Sequence, residues 1–214
     1  MKHLLAFALS LILLLSLALP ACADIVGYAG ADDYIHRYLA PNGQELFFVS
    51  WEKEPPIEFE DVNGDGVEDI VVITAIGASN FFAEFFVWDG EKYVWAQHVG
   101  EALANYAVTP EGFVVSHGKS GMAGALFEDR VFAWNGTELK LIRKMVSDYD
   151  ETWEMTETEM TTTQRLDALH ITLYDYASEE GEQLLWETRV MIEELNEGDI
   201  FTEMDAKLWE GLTL

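Results

Sequence analysis

Alternating apolar and polar residues run through much of this chain and predict β-strands, because successive side chains of a strand point to opposite faces. Residues 45–51, mostly apolar and aromatic, predict a strand that a Pro-Asn-Gly turn at residues 41–43 leads into. Residues 70–74 are instead an unbroken β-branched run, which is typical of a well-buried strand. Residues 24–44, which precede the strand at residues 45–51, contain Gly, Ala, Asp and Pro. We expect them to be loop with short structured pieces.

Two hairpins are marked by apolar and aromatic strands on either side of a turn that contains glycine. In the first, residues 81–88 and 93–98 flank an Asp-Gly turn. In the second, residues 126–134 and 138–145 flank an Asn-Gly turn. Both hairpins predict antiparallel pairs of neighbouring strands.

The first strand of each hairpin ends in the same pattern of apolar residue, Trp, turn residue and Gly. It reads Val-Trp-Asp-Gly at residues 87–90 and Ala-Trp-Asn-Gly at residues 133–136. The two copies are 46 residues apart. A spacing in this range is typical of blade-like or sandwich units, and two copies are too few for a propeller. The chain is therefore predicted to be mainly β, an antiparallel β-sandwich or half-open barrel built from hairpins.

The C-terminal third carries weaker patterns. Residues 151–163 and 169–174 alternate and predict strands, the first of them facing solvent. Residues 183–195 fit either a strand or a helical face, and we favour a strand. Residues 202–209 predict a short C-terminal helix with Thr202 as its cap.

A stretch rich in Gly and Ser, residues 115–124, predicts a flexible loop between strands. Its Gly-Lys-Ser lacks the first glycine of a phosphate-binding loop, and its glycines do not fit the turn around a catalytic serine. His117, Lys119 and Ser120 are polar groups on this segment, which makes it a candidate binding edge.

The N-terminus has the three zones of a secretion signal. A basic start precedes an apolar core at residues 4–19, and the small residues Ala-Cys-Ala follow a proline. We expect residues 1–23 to be removed before Asp24, leaving residues 24–214 as a single exported domain that is secreted or at the cell surface. Residues 19–22 resemble the lipobox of bacterial lipoproteins, so a lipid anchor at Cys22 and an uncleaved signal anchor are the alternatives.

The net charge limits the classes of partner, and the cysteine content limits the sources of stability. There are 12 Lys and Arg residues against 39 Asp and Glu, a formal net charge of −27. Such a surface repels nucleic acids and anionic membranes and attracts cations, although solubility outside the cell explains most of the acidity. With one cysteine the chain forms no internal disulfide, so its stability has to come from core burial, from a bound metal, or from both.

The clearest chemical motif is a row of oxygen-bearing side chains at alternate positions in one turn. Asp61, Asn63 and Asp65 alternate, a glycine follows, Val67 offers its backbone carbonyl, and Asp69 closes the series. Calcium takes six to eight oxygen ligands, and glycine permits the sharp bend that such a loop needs. The spacing predicts a Ca²⁺ site, and the alternative is an Asx-rich turn that binds nothing.

The motif departs from an EF-hand, because Val72 stands where the bidentate glutamate belongs and a strand follows the loop. Across residues 57–143 the chain resembles small secreted bacterial proteins with a single calcium loop of the FG-GAP/VCBS type. Some of these resemble periplasmic lysozyme inhibitors of β-sandwich fold. The resemblance implies that the same five residues of the motif are the ligands.

We therefore expect a non-catalytic calcium-binding module that acts on a protein or carbohydrate ligand. One alternative is an inhibitor or immunity-like partner of a secreted lytic enzyme. Another is an extracellular hydrolase, although no nucleophile and no converging pair of carboxylates can be identified in the sequence. The histidines are scattered without the spacing of a zinc site.

Overall fold

The computed structural model describes residues 23–30, 33–96, 102–120, 126–155, 160–178, 181–191 and 199–212. For residues 151–155, 160–167, 199 and 201 the description is limited to the backbone. Residues 1–22 of the predicted signal, residues 97–98 of the first hairpin, residues 121–124 of the Gly-rich stretch and residues 192–195 lie outside the described residues.

Three antiparallel sheets contain the described strands. Sheet A has the order β1-β2-β3, and sheet B has the order β4-β5-β6-β7 with β8 on β6. Sheet C has the order β14-β13-β12-β11-β10-β9, and helix α1 follows. The elements are β1 Asp24–Tyr28, β2 Tyr34–Leu39, β3 Glu45–Ser50, β4 Ile57–Glu60, β5 Asp69–Ile76, β6 Phe81–Trp88, β7 Tyr93–Trp95, β8 Leu103–Ala104, β9 Ala107–Val108, β10 Val114–Ser120, β11 Leu126–Asn135, β12 Glu138–Met155, β13 Met160–Asp175, β14 Gln183–Met191 and α1 Asp199–Trp209.

Sheet B is packed on both faces, and this is why β5 lacks polar alternation. Ile70 and Val72 belong to a core shared with Tyr38 and Phe48 of sheet A. The intervening residues of β5, Val71 and Ile73, belong to a second core shared with Val114 and Phe132 of sheet C. Since side chains alternate along a strand, an apolar run is what a sheet between two others requires.

Helix α1 covers the other face of sheet C. Met204 and Leu208 of α1 lie in a third core with Met145 and Leu173. The buried Arg143 donates from Nη1 to the carbonyl oxygens of Lys207 at 3.3 Å and Leu208 at 3.1 Å. A cation at these last carbonyls satisfies groups that have no partner within the helix.

The mainly antiparallel β-sandwich with a short C-terminal helix is confirmed, and the described sheets do not form a closed barrel. Both predicted hairpins are present as β6–β7 and β11–β12. The strand preferred for residues 183–195 is present as β14, over Gln183–Met191. Within the described residues, no helix has the length and apolarity needed to cross a membrane.

The short structured pieces expected in residues 24–44 are the strands β1 and β2. Three local predictions are wrong. Residues 115–120, predicted as part of a flexible loop, belong to β10. The single strand predicted at 151–163 is instead part of two strands: residues 151–155 belong to β12 and residues 160–163 to β13, which pair with each other up to Met155 and Met160. Residues 156–159 lie outside the described residues. The helix begins at Asp199, so Thr202 lies inside it and is not its cap.

Candidate functional site

The predicted calcium loop connects an edge strand of sheet B to the strand beside it. β4 ends at Glu60 and β5 begins at Asp69, and these two residues are register partners at the base of the loop. Gly64 has φ 75° and Gly66 has φ 86°, backbone conformations that residues with a side chain rarely adopt. The two glycines therefore allow residues 61–68 to turn back within a short connection.

Three of the predicted ligands turn their side-chain oxygens toward the backbone of the loop. Asp61 accepts from Asp65 N at 3.0 Å through Oδ1 and from Gly66 N at 2.9 Å through Oδ2. Asn63 Oδ1 also accepts from Asp65 N, at 3.0 Å, and Asp65 Oδ1 accepts from Val67 N at 2.8 Å. The structure thus brings Asp61, Asn63 and Asp65 together around one turn.

The last predicted ligand, Asp69, lies beneath the loop and is fully buried. Its Oδ2 accepts from Val62 N at 3.2 Å, and its Oδ1 accepts from Trp88 N at 2.8 Å. Burial raises the pKa of Asp69 to about 6; the two backbone hydrogen bonds oppose this rise, and the carboxylates of Asp65 and Asp61 add to it. Asp69 therefore joins the loop to β6.

The two repeated tryptophans of the sequence both contact this loop. Trp88 contributes its backbone N–H to Asp69, whereas Trp134 donates from its indole Nε1 to Val62 O at 2.9 Å. Val62 is itself fully buried in the core between sheets B and C. The repeated pattern thus marks the two hairpins that contact the loop as well as the fold class.

A cavity of about 510 Å³ lies between the loop and the ends of the two hairpins. Its polar lining includes the exposed Asp65 and Asp89. The lining residues are Asn63, Asp65, Val67, Trp88, Asp89, Gly90, Gly136 and Thr137.

The donors fit calcium in chemical type, since each predicted ligand offers oxygen atoms. Carboxylate and amide oxygens that accept one backbone hydrogen bond keep a further lone pair. In the described part of the chain, however, no three side chains of His, Cys, Asp or Glu are grouped as a metal-binding cluster. Asp69 is turned toward Val62 and Trp88, separate from the three exposed or half-buried side chains above it.

Residues 115–120 of the stretch predicted to be a flexible loop belong to strand β10. His117 Nδ1 is hydrogen-bonded to Asp129 on the neighbouring strand β11. The Asn80 side chain donates to Lys119 O at 2.8 Å and accepts from Lys119 N at 2.9 Å, as a paired strand would. Burial raises the pKa of Asp129, and the hydrogen bond from His117 opposes this.

A larger cavity, of about 600 Å³, lies elsewhere on the sandwich and was not found from the sequence. Its walls come from segments that are distant along the chain, and no spacing pattern joins them. The lining residues are Pro56, Glu58, Glu60, Ile73, Ile76, Phe81, Tyr106, Ala107 and Val108.

No protein-family model matches this chain, and no curated protein matches it. A solved structure with a partial likeness is described as "Structure of a Xanthomonas Type IV Secretion System related protein". It shares 14% sequence identity, and the alignment covers 77% of this chain and 85% of that chain with a TM-score of 0.42. A likeness of this degree carries no argument about function.

Proposed function

We propose that this chain is an exported calcium-binding β-domain that acts as a non-catalytic binding module. The observation that supports the proposal is the loop at residues 61–69, whose oxygen donors surround one turn that is anchored in the core through Asp69. We also propose that this loop is of the same kind as the calcium loops of FG-GAP/VCBS-type proteins.

The physical reason for a cation is electrostatic. Asp61 and Asp65 stand above the buried Asp69, and their charges make its ionised form less favourable. A divalent cation at the loop removes this repulsion, and the unfolded chain has no preformed site to bind it. Calcium is therefore expected to stabilise the folded state.

Thermal unfolding with and without calcium tests the proposal. Calcium at about a hundred times its dissociation constant adds about 2.7 kcal/mol of stability, which raises Tm by roughly 5 to 10 °C in a domain of this size. Asp65→Asn keeps an acceptor for Val67 N but removes one charge, and it should abolish most of the rise.

Asp175→Asn is the matched control for that variant. Asp175 Oδ1 accepts from Ala177 N at 2.9 Å, the same local arrangement as Asp65 with Val67, but it lies at the end of β13. This variant should keep the full calcium response. Identical melting curves of the unaltered protein in chelator and in excess calcium would contradict the site.

Two other functions make different demands. A glycosidase-like hydrolase needs two carboxyl groups converging in a cleft; the larger cavity offers Glu58 and Glu60, which are both exposed and lie on one strand. An inhibitor of a secreted lytic enzyme should co-purify with lysozyme or lower its activity. For the hydrolase, the test is an activity assay of the purified protein. If the protein shows a hydrolytic activity and Glu58→Gln abolishes it, the binding-module proposal is wrong.

A further inference from the structure

The cavity of about 600 Å³ opens where two sheet edges meet. One wall comes from β4, an edge strand of sheet B, and the opposite wall includes Ala107 and Val108 of β9, an edge strand of sheet C. Ile73 of β5 and Phe81 of β6 complete the apolar lining. A ligand can therefore enter between the sheets without displacing a strand.

The charge in this cavity has one sign. Glu58 and Glu60 are two residues apart on β4, so their side chains share a face, and both line the cavity. No Lys, Arg or His is among the nine lining residues. The cavity is thus apolar in most of its wall and acidic on one side.

Tyr106 holds the aromatic part of the wall in place. Its hydroxyl donates to Glu60 Oε2 at 2.9 Å. Its ring lies edge-on to Phe85 at 4.9 Å and to Phe81 at 5.9 Å between centroids. The hydrogen bond fixes one carboxylate beside an aromatic ring, so that both are positioned before a ligand arrives.

We propose that this cavity binds a small organic cation, an amine or guanidinium on an apolar body. The apolar lining accommodates the body of the ligand, and Glu58 and Glu60 accept hydrogen bonds from its charged group. Aromatic rings beside carboxylates add a cation–π attraction. The volume lies within the range of roughly 300 to 1,000 Å³ that is usual for small-molecule sites. The excess of acidic residues further raises the local concentration of cations.

This assignment rests on the binding-module function proposed above and names its ligand class. It does not depend on calcium. The two can fail separately, because the amine is measured in chelator as well as in calcium, and with the Asp65→Asn variant as well as the unaltered protein.

Three probes with one apolar stem and different charges test the ligand class: 1-hexylamine, 1-hexanol and hexanoate. In calorimetric titration of the secreted protein, hexylamine should bind roughly tenfold more tightly than hexanol, as expected for a charge-assisted hydrogen bond. Hexanoate should not bind. Equal affinity for all three probes, or no binding of the amine, would overturn the assignment.

Glu58→Gln and Glu60→Gln locate the binding. Each should weaken hexylamine binding by about tenfold and leave hexanol binding unchanged. Glu91→Gln, an exposed carboxylate in the β6–β7 turn, should change neither. Undiminished amine affinity in both Glu58→Gln and Glu60→Gln would contradict the proposed site. Binding of a lysine-containing peptide without binding of hexylamine would replace the small-molecule ligand by a protein partner.

Discussion

Buried and half-buried carboxyl groups among the described residues are compensated in different ways. Asp69 accepts two backbone hydrogen bonds, and Asp129 faces His117. Asp150 is 2.9 Å from the guanidinium of Arg189. Burial raises the pKa of Glu84 on β6 from 4.5 to about 7, and a side-chain hydrogen bond from Trp95 opposes this rise.

The shift at Glu84 makes stability depend on pH. In the folded state Glu84 binds its proton more tightly than in the unfolded chain. The stability that this protonation adds is fully present below about pH 4.5 and is lost as pH rises through about 7. Glu84→Gln keeps an acceptor for Trp95 and removes the charge. At pH 8 this variant should be more stable than the unaltered protein by on the order of 1 kcal/mol.

Urea unfolding at pH 5 and at pH 8 measures this difference. The advantage of Glu84→Gln should be small at pH 5, where most Glu84 is protonated in the folded state. Glu91→Gln controls for the general effect of removing one negative charge, because Glu91 is exposed. An equal gain from both variants at pH 8 would assign the effect to net charge and not to burial.

At the scale of the elements, hydrogen bonds connect the loop at residues 61–69 to the hairpins β6–β7 and β11–β12. The Val62 carbonyl is buried among them and accepts from Trp134 Nε1 at 2.9 Å. Trp134→Phe keeps an aromatic ring near Phe85, its ring neighbour at 6.4 Å, but removes the donor. Leaving a buried carbonyl without a partner costs about 1 to 3 kcal/mol. The free energy of unfolding in urea should therefore fall by about that amount.

Trp88→Phe is the comparison that isolates this bond. Trp88 contacts the loop through its backbone N–H, which any residue except proline retains. The ring packs against Tyr93 at 5.1 Å between centroids, and phenylalanine preserves part of that contact. Trp88→Phe should lose clearly less stability than Trp134→Phe. If the two variants lose the same amount, the indole hydrogen bond is not what anchors the loop.

The strands that the sequence predicted are those with strong local patterns. The β-branched run of β5 and the turns at Asp89-Gly90 and Asn135-Gly136 are signals that hold in any context. β10 was missed because tertiary partners determine it. Gly118 and Ser120 favour a loop by themselves, but Asn80 pairs with the backbone of Lys119, and β11 pairs along the whole strand.

The candidate sites differ in the same way. The loop ligands lie within nine consecutive residues, from Asp61 to Asp69, so their spacing is visible in the sequence. The burial of Asp69 and the contact from Trp134 depend on packing between sheets B and C, and no local pattern reports them. The larger cavity requires Tyr106 and Glu60 to meet across 46 residues of sequence, which only the fold provides.

At the scale of the whole molecule, the dominant feature is an excess of negative charge. The formal net charge of −27 means that carboxylates repel one another across the surface, and this favours less compact states. Salt screens such repulsion over distances of about 10 Å at 0.1 M. Any cation will therefore stabilise this protein to some degree, and stabilisation by calcium alone does not identify a site.

Comparison of calcium with magnesium separates a specific site from general screening. Both ions carry the same charge and screen alike, but magnesium requires a small octahedral shell and gives up its waters reluctantly, whereas calcium accepts an irregular set of oxygens. In about 0.15 M KCl, millimolar calcium should raise Tm by several degrees more than the same concentration of magnesium. Asp65→Asn should abolish that difference while it keeps the shared rise and the response to added NaCl. If both ions raise Tm equally in the unaltered protein, the stabilisation comes from the charge of the whole molecule, and the loop at residues 61–69 is an Asx-rich turn without a calcium ion.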